Sequence, residues 1–316
     1  MIYALRNECD FYYCLNIKKQ WDISQRPKPD NLHFVDAYTP GVYDVAILHI
    51  DQQMIDATHL KTRIYKEFDD IITDIPKIVL NHGTPVFPEK FFELGYKMSY
   101  KAMELKCIEL IRELIKGKTM VVNSHASASE SEWGFGIPIV HGMNPNDWWD
   151  LPKEPRVFTA LAAYGFETYY NRRRTIEVSD VLFQRYGYTL AYAKINIDTT
   201  GSPEDYKNYL GRSLIYLDTS FRTPMNRART EAFFSGCCVV QVEGAHDLER
   251  WAVDGENIII VPNDAAKIAA TIVDLIENRY QEAVKIGQAA KQMAAKHFNP
   301  DRYRHDWMAL LKKLDN

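Results

Sequence analysis

The chain has no apolar run long enough to cross a membrane, since a spanning helix needs about 20 consecutive apolar residues. Its first stretch, MIYALRNECDFYYC, has no charged start followed by an apolar run, so no signal peptide is expected there. It contains no C-x-x-C and no H-E-x-x-H, and so signals no metal site. Cysteine is scarce: Cys9, Cys14, Cys107, Cys237 and Cys238. An odd number without framework spacing points to a reducing compartment, and the expected location is cytoplasmic. Cys237 and Cys238 sit in an apolar strand, where thiols pack as small hydrophobes. Positive charge is not in excess either. With 38 Lys+Arg against 42 Asp+Glu the net charge is −4, which gives no general attraction to nucleic acid or anionic membranes. No solenoid-length repeat or low-complexity tract interrupts the chain.

What is present reads as a soluble α/β protein. The 316 residues are 46% hydrophobic and 25% charged, a length that suggests two domains. Short apolar runs at 43–50, 77–83, 119–124 and 137–142 look like buried parallel strands, with an amphipathic helix over 96–117 ending at Gly117. Strand, helix, strand is the pattern of a doubly wound sheet. The stretch MNPNDWWDLPKEP (143–155), with three prolines and two asparagines, reads as a linker. A second series follows: strands at 156–165, 189–197, 213–220, 237–242 and 256–262, and helices at 173–187, 203–211 and 226–235. The expected domains are therefore 1–150 and 151–298, with a last helix over 299–316 carrying Trp307 on its apolar face. Two Rossmann-like domains in succession point to ligand binding beyond the carboxyl ends of their strands, in the cleft between them. Residues 1–150 carry a balance of −5 and the remainder +1, so a basic ligand pocket is expected in the second half.

The stretch RTPMNRARTEAFFSGCCVV (222–240) puts three arginines and a glutamate just before an apolar strand. The helix it opens starts at a strand end, where free backbone N–H groups favour phosphate. Arg222, Arg227 and Arg229 add positive charge. Glu231 lies one turn beyond Arg227 on the same face, and a carboxylate can accept from both hydroxyls of a ribose. A phosphate site beside a diol-binding carboxylate is a nucleotide site. The plainer reading of Glu231 is a surface salt bridge with Arg227.

Together with the following VEGAHDLERWAVDGENIIIVP and the later HFNPDRYRHDW, this region resembles the C-terminal half of retaining, family-four-like glycosyltransferases of the GT-B fold. The first half is similar more loosely: KIVLNHGTP resembles a strand ending in a cleft histidine, here His82, and VVNSHASASESEWGFGIPIVHGMNP resembles a further family segment. The resemblance implies a nucleotide-sugar-dependent transferase with UDP- or GDP-linked donors, a donor ribose held by Glu231, no metal or other cofactor, and a last helix that braces the first domain. It also implies departures. The first glutamate of the family's E-x7-E motif falls on Thr223. The glycine-rich loop after the first strand is missing. The residues Asn226 and Arg227 replace the usual phosphate-binding turn. The pair of cations that neutralises the diphosphate is assigned to the run YYNRRRT (169–175), Arg172 first and Arg173 and Arg174 behind it. Three positive charges at a helix start oppose its dipole, which an anion would relieve.

His82 and Asp51 are the candidate catalytic residues: His82 to orient the sugar, either of them as base in an inverting reaction. A helix cap is the simpler role for Asp51. His49 ends the same strand as Asp51. His141 and Gly142 read as a hinge, and Trp148 and Trp149 as packing. The expected acceptor is a glycan or lipid-linked sugar. A hydroxymethylated DNA base is the sharper alternative, opposed by the acidic first half. Residues 59–66 and the lysines and Arg112 of the helix over 97–118 could form a basic strip for DNA or for peripheral membrane contact. The reading from another class is a non-catalytic sugar-nucleotide sensor or assembly subunit on the same fold.

Overall fold

The computed structural model describes residues 1–14, 28–85, 99–160, 171–192, 202–222 and 226–314. Expected strand residues 161–165 and 193–197, helix residues 96–98 and Thr223 lie outside these. The chain divides into two units, Met1–Gly142 with Pro300–Asn316, and Met143–Asn299.

In the first unit β3 (Ala46–Ile50), β4 (Lys77–Asn81), β5 (Thr119–Val122) and β6 (Ile137–Pro138) form a parallel sheet in that order. Alternation along each strand sends residues to opposite faces. Leu48, Val79 and Val122 pack with Tyr65 of α1 (Leu60–Ile71) and with Met103, Cys107 and Ile111 of α2 (Tyr100–Leu114). On the other face Ile78, Leu80 and Val121 pack with Trp307 and Leu310. The chain's last helix, Pro300–Leu314, therefore completes the core of the first unit, and its Arg302 donates to the carbonyls of Val140 (2.6 Å) and His141 (3.1 Å). Two features depart from the sequence pattern: the apolar run 137–142 yields only a two-residue strand, and β1 (Phe11–Cys14) pairs with β2 (Leu32–Val35) in a separate parallel ribbon. A short helix, α3 (His125–Ala128), follows β5.

The second unit is a five-stranded parallel sheet in the order β11-β10-β9-β7-β8. Its strands are β7 (Glu154–Thr159), β8 (Leu190–Tyr192), β9 (Ser213–Asp218), β10 (Cys238–Val242) and β11 (Ile259–Val261). Its helices are α4 (Arg172–Tyr186), α5 (Pro203–Arg212), α6 (Arg227–Phe234), α7 (Leu248–Trp251), α8 (Ala265–Glu277) and α9 (Tyr280–His297), and Pro300–Leu314 of the first unit is α10. Every residue of β9 and β10 is buried, as strands covered by helices on both faces must be. Cys237 and Cys238 are fully buried, and burial pushes the Cys237 thiol up to about 12.

The boundary falls at 142/143 rather than 150/151, because the expected linker packs onto the second unit. Met143 donates its N–H to Phe298 O at 3.0 Å. The Asp150 carboxylate accepts from Gln288 and Lys291, each at 3.0 Å. Lysine contacts and the Gln288 hydrogen bond hold its pKa below the usual carboxylate value against the effect of burial.

Gly287 of α9 lies against the turn before β10, where an added Cβ would stand 2.2 Å from Gly236 O. That neighbour is backbone and cannot swing aside. A helical Gly→Ala change normally stabilises by up to about 1 kcal/mol, but overpacking costs about 1–3 kcal/mol. Gly287→Ala should therefore lower the unfolding free energy by about 1–2 kcal/mol net, read from the urea midpoint.

Candidate functional site

The strand order of the second unit fixes where a ligand can sit. From β7 the chain steps outward to β8, returns across β7 to β9, and continues the other way to β10 and β11. The direction reverses between β7 and β9, and the crevice at the carboxyl ends of such a pair is the binding position of open parallel sheets. Helix α4 follows β7 and helix α6 follows β9, so both helix starts belong to this edge.

The three residues Asp218, Thr219 and Ser220 at the end of β9 hold both starts, and all are fully buried. Asp218 Oδ1 accepts from Ser220 N (2.9 Å) and from the Ser220 hydroxyl. Its Oδ2 accepts from Asn226 Nδ2 at 3.0 Å, and Asn226 Oδ1 in turn caps α6 by accepting from Ala228 N at 3.0 Å. Thr219 Oγ1 lies 2.6 Å from Thr175 Oγ1 of α4 and donates to Asn171 O. Asn171, the residue before α4, is left-handed (φ 53°) and its side chain donates to Asn263 Oδ1 (3.0 Å), which also accepts from Arg174 Nε (2.8 Å).

Arg229 corrects a sequence expectation. It is fully buried rather than turned to a ligand. Its Nη1 donates to Gln241 Oε1 at 2.6 Å and lies 3.9 Å from Asp218 Oδ2, and its guanidinium sits 5.0 Å from the Trp251 ring centre. Burial lowers its pKa, with Asp218 opposing the shift. Gln241 Nε2 closes the network on Ser220 O (2.8 Å) and Val242 O (2.9 Å).

The remaining candidates separate by their partners. Arg172 and Arg227, the first residues of α4 and α6, are exposed and engage no side chain among the described residues. Arg173 instead forms an i, i+4 pair with Glu177 (3.0 Å) and is 82% exposed, the bland solvated-face role. Arg174 shares Glu177 (2.7 Å) and Asn263. Asn226 is occupied as the cap of α6. Glu231 is half-buried and accepts from the Tyr206 hydroxyl of α5 at 2.8 Å. Arg222 is left-handed (φ 47°) and donates its N–H to Gly244 O at 2.9 Å; non-glycine residues held so are enriched at functional sites. Thr223 lies outside the described residues. Sequence reasoning missed Asp218, Gln241 and Tyr206. The run LDTS, a polar end to an apolar strand just before a helix, was the available signal for the first.

In the first unit the carboxyl edge of the sheet brings His49 and His82 together. His49 Nδ1 lies 2.7 Å from His82 Nε2, and Asn123 Nδ2 lies 3.4 Å from His82 Nδ1. Surrounding protein first, and the His82 ring second, lower the His49 pKa to about 4. His49 is exposed, so desolvation is incomplete; the direction rests on the neighbouring ring, since two imidazoles this close cannot both be cationic. Asp51 caps the 3-10 turn Gln52–Ile55 by accepting from Gln53 N (2.8 Å) and pairs with Lys61, so its carboxylate serves local structure. After His82 the chain needs glycine: a Cβ on Gly83 would meet the Gln52 side chain at 2.1 Å and Gln52 N at 2.9 Å. The indole of Trp133 donates to Gly83 O at 2.9 Å. Trp148 packs edge-on against Tyr206, with ring centres 6.2 Å apart. Among the described residues no group of three or more His, Cys, Asp or Glu is arranged to hold a metal.

No protein-family model matches the chain, and no curated protein matches it. Solved structures do. Anabaena HepE, solved with UDP and glucose, aligns at TM-score 0.59 and 13% identity over 84% of this chain and 78% of its own. Sucrose-phosphate synthase from Thermosynechococcus elongatus aligns at 0.57 and 13%, over 85% and 73%. A glycosyltransferase from Rickettsia africae aligns at 0.53 and 14%, over 86% and 77%. At these identities the likeness is one of fold, and the fold is GT-B, with a parallel α/β sheet in each unit.

Two tests follow from this geometry. Arg229→Ala leaves Asp218 buried without its cation and should cost about 3–5 kcal/mol, whereas Arg172→Ala and Arg227→Ala should stay within about 0.5 kcal/mol of wild type in urea unfolding. For His49, the folded pKa lies below the ordinary 6.5, so the unfolded chain binds the extra proton first. Its contribution to stability is full above pH 6.5 and is lost as pH falls toward about 4. An NMR titration of the folded chain should find the His49 midpoint below 6.5, and His49→Asn should flatten the unfolding free energy across that window.

Proposed function

We propose that the chain is a nucleotide-sugar-dependent glycosyltransferase whose donor site lies on the second unit. The observation that carries the reading is the pair of guanidiniums, Arg172 and Arg227, that engage no side chain among the described residues, at two helix starts tied to one strand end. A cation at a helix N-terminus is unfavourable by itself. An anion removes that penalty, and a diphosphate offers charge to both arginines and to the helix N–H groups. Glu231 in the second turn of α6 supplies the carboxylate for the ribose diol. Structures of the same fold have been solved with UDP bound, and UDP is therefore the first donor base to try.

In this reading, charge builds on the diphosphate as the sugar leaves. Preorganised guanidiniums and helix N–H groups stabilise it without requiring a metal. The reaction is retaining: the leaving phosphate takes the proton of the acceptor hydroxyl, and His82 orients the transferred sugar. Asp51 is the weaker candidate for any proton transfer, because Gln53 N and Lys61 already occupy it. The acceptor is a glycan or a lipid-linked sugar. Duplex DNA fits less well, since Lys61, Lys101 and Lys118 of the proposed basic strip are each paired with a carboxylate and cannot neutralise phosphates at no cost.

The test is calorimetric binding of UDP, GDP and ADP to the full chain, with magnesium and with chelator. One diphosphate should bind equally in both, and Arg172→Ala and Arg227→Ala should each weaken it about tenfold or more. His82→Ala should leave that affinity unchanged and reduce slow hydrolysis of the matching nucleotide sugar. Folded protein that binds none of the three would overturn the proposal. Binding with no turnover of any sugar conjugate would favour a sensor on the same fold.

A further inference from the structure

Glu231 does not set its own rotamer. The Tyr206 hydroxyl donates to Glu231 Oε2 at 2.8 Å from a neighbouring helix. The Tyr206 ring is itself fixed, 5.9 Å from Phe158 of β7 and 6.2 Å edge-on from Trp148, ring centre to ring centre. A glutamate on a helix has several staggered wells per side-chain torsion and a broad terminal torsion that lets the carboxylate plane turn. A phenol anchored between two aromatic rings removes that freedom.

The chemistry of a vicinal diol makes this orientation consequential. Two adjacent hydroxyls donate to the two oxygens of one carboxylate only when the carboxylate plane faces the diol. Each carboxylate oxygen has two lone-pair sites, so Oε2 can accept from Tyr206 and from a ribose hydroxyl together. We infer that Tyr206 is a positioning residue that fixes the Glu231 carboxylate plane and thereby sets the discrimination of ribonucleoside over 2′-deoxyribonucleoside diphosphates. The inference rests on the donor-site reading above. It adds a sugar-selecting role for a side chain that acts through Glu231.

Tyr206→Phe keeps the ring and its packing and removes only the donor. Binding of UDP and of 2′-deoxy-UDP to the full chain would be measured calorimetrically for wild type, Tyr206→Phe, Glu231→Ala and the double variant. GDP and its 2′-deoxy form replace them where UDP does not bind. Wild type should prefer the ribo form by about tenfold or more, since a hydroxyl on a carboxylate is a charge-assisted contact. In Tyr206→Phe, affinity for UDP should fall about five- to tenfold while that for 2′-deoxy-UDP moves less than about twofold. The double variant should match Glu231→Ala alone, as expected for residues acting through one another. The ratio of the two affinities does not depend on the fraction of folded protein, so a partly destabilised variant still reports. Equal losses for both ligands would mean a general structural role and would overturn the inference, as would an unchanged ratio in Tyr206→Phe when Glu231→Ala abolishes it. Folded wild type that binds neither diphosphate would remove the donor-site reading, and this inference with it.

Discussion

A carboxylate buried at the end of the central strand is the constraint on which the second unit's edge depends. Asp218 has no exposure, and an unpaired charge there would cost several kcal/mol. The chain meets that cost with four groups from three places. Ser220 offers its N–H and hydroxyl, Asn226 its amide, and Arg229 a nearby positive charge. Satisfying Asp218 therefore dictates the path of the loop after β9 and the point where α6 begins. Thr219, between Asp218 and Ser220, ties α4 to the same place. Two helix starts are thus referenced to one strand end, which is what a preorganised anion site requires.

The same network explains why neighbouring arginines differ in kind. Arg229 is two residues from Arg227, so a helix sends them in diverging directions. One goes into the core, where Gln241 and Asp218 receive it. The other stays at the first position of α6, against the helix dipole. Arg172 repeats that unfavourable placement on α4, while Arg173 and Arg174 are relieved by Glu177. Local electrostatics thus leaves two of the five arginines in these helix starts uncompensated among the described residues, and a diphosphate has the charge to compensate them.

Most of the fold was legible because parallel strands buried on both faces read as apolar runs. SLIYLD and CCVVQV could be little else, and the expected strands are found, with β7 starting two residues before the range expected for it. The domain boundary was misread for a physical reason. Proline and asparagine in MNPNDWWDLPKEP mark turns, but turn chemistry does not say which core a turn packs on, and Asp150 anchors this one to α9. The ribbon of β1 and β2 was missed because FYYC and LHFV are four-residue runs with half-exposed aromatics, which lack both length and alternation. At the site, sequence spacing showed which residues stand at helix starts. It could not show burial, so it did not show that Arg229 enters the core. Nor could it show Tyr206, which lies 25 residues from Glu231 along the chain and 2.8 Å from it in space.

The first unit's edge illustrates a different limit. His82 was legible as the end of an apolar strand entering a Gly-Thr-Pro turn, and Gly83 is required there by the closeness of Gln52. Its partner His49 comes from the adjacent strand in parallel register, where His49 pairs with Leu80 and Ile50 with Asn81. That register places the two imidazoles within a shared hydrogen bond. The tautomer of His82 is then set with its neighbours. With the His49 pKa lowered beside it, the bond between two neutral rings needs one to donate and the other to accept. Asn123 at the far nitrogen favours the tautomer in which His82 Nδ1 accepts and His82 Nε2 donates to His49. Any hydrogen bond that His82 makes to a sugar must compete with both of these contacts, so the two neighbours, not the histidine alone, decide what the edge can bind.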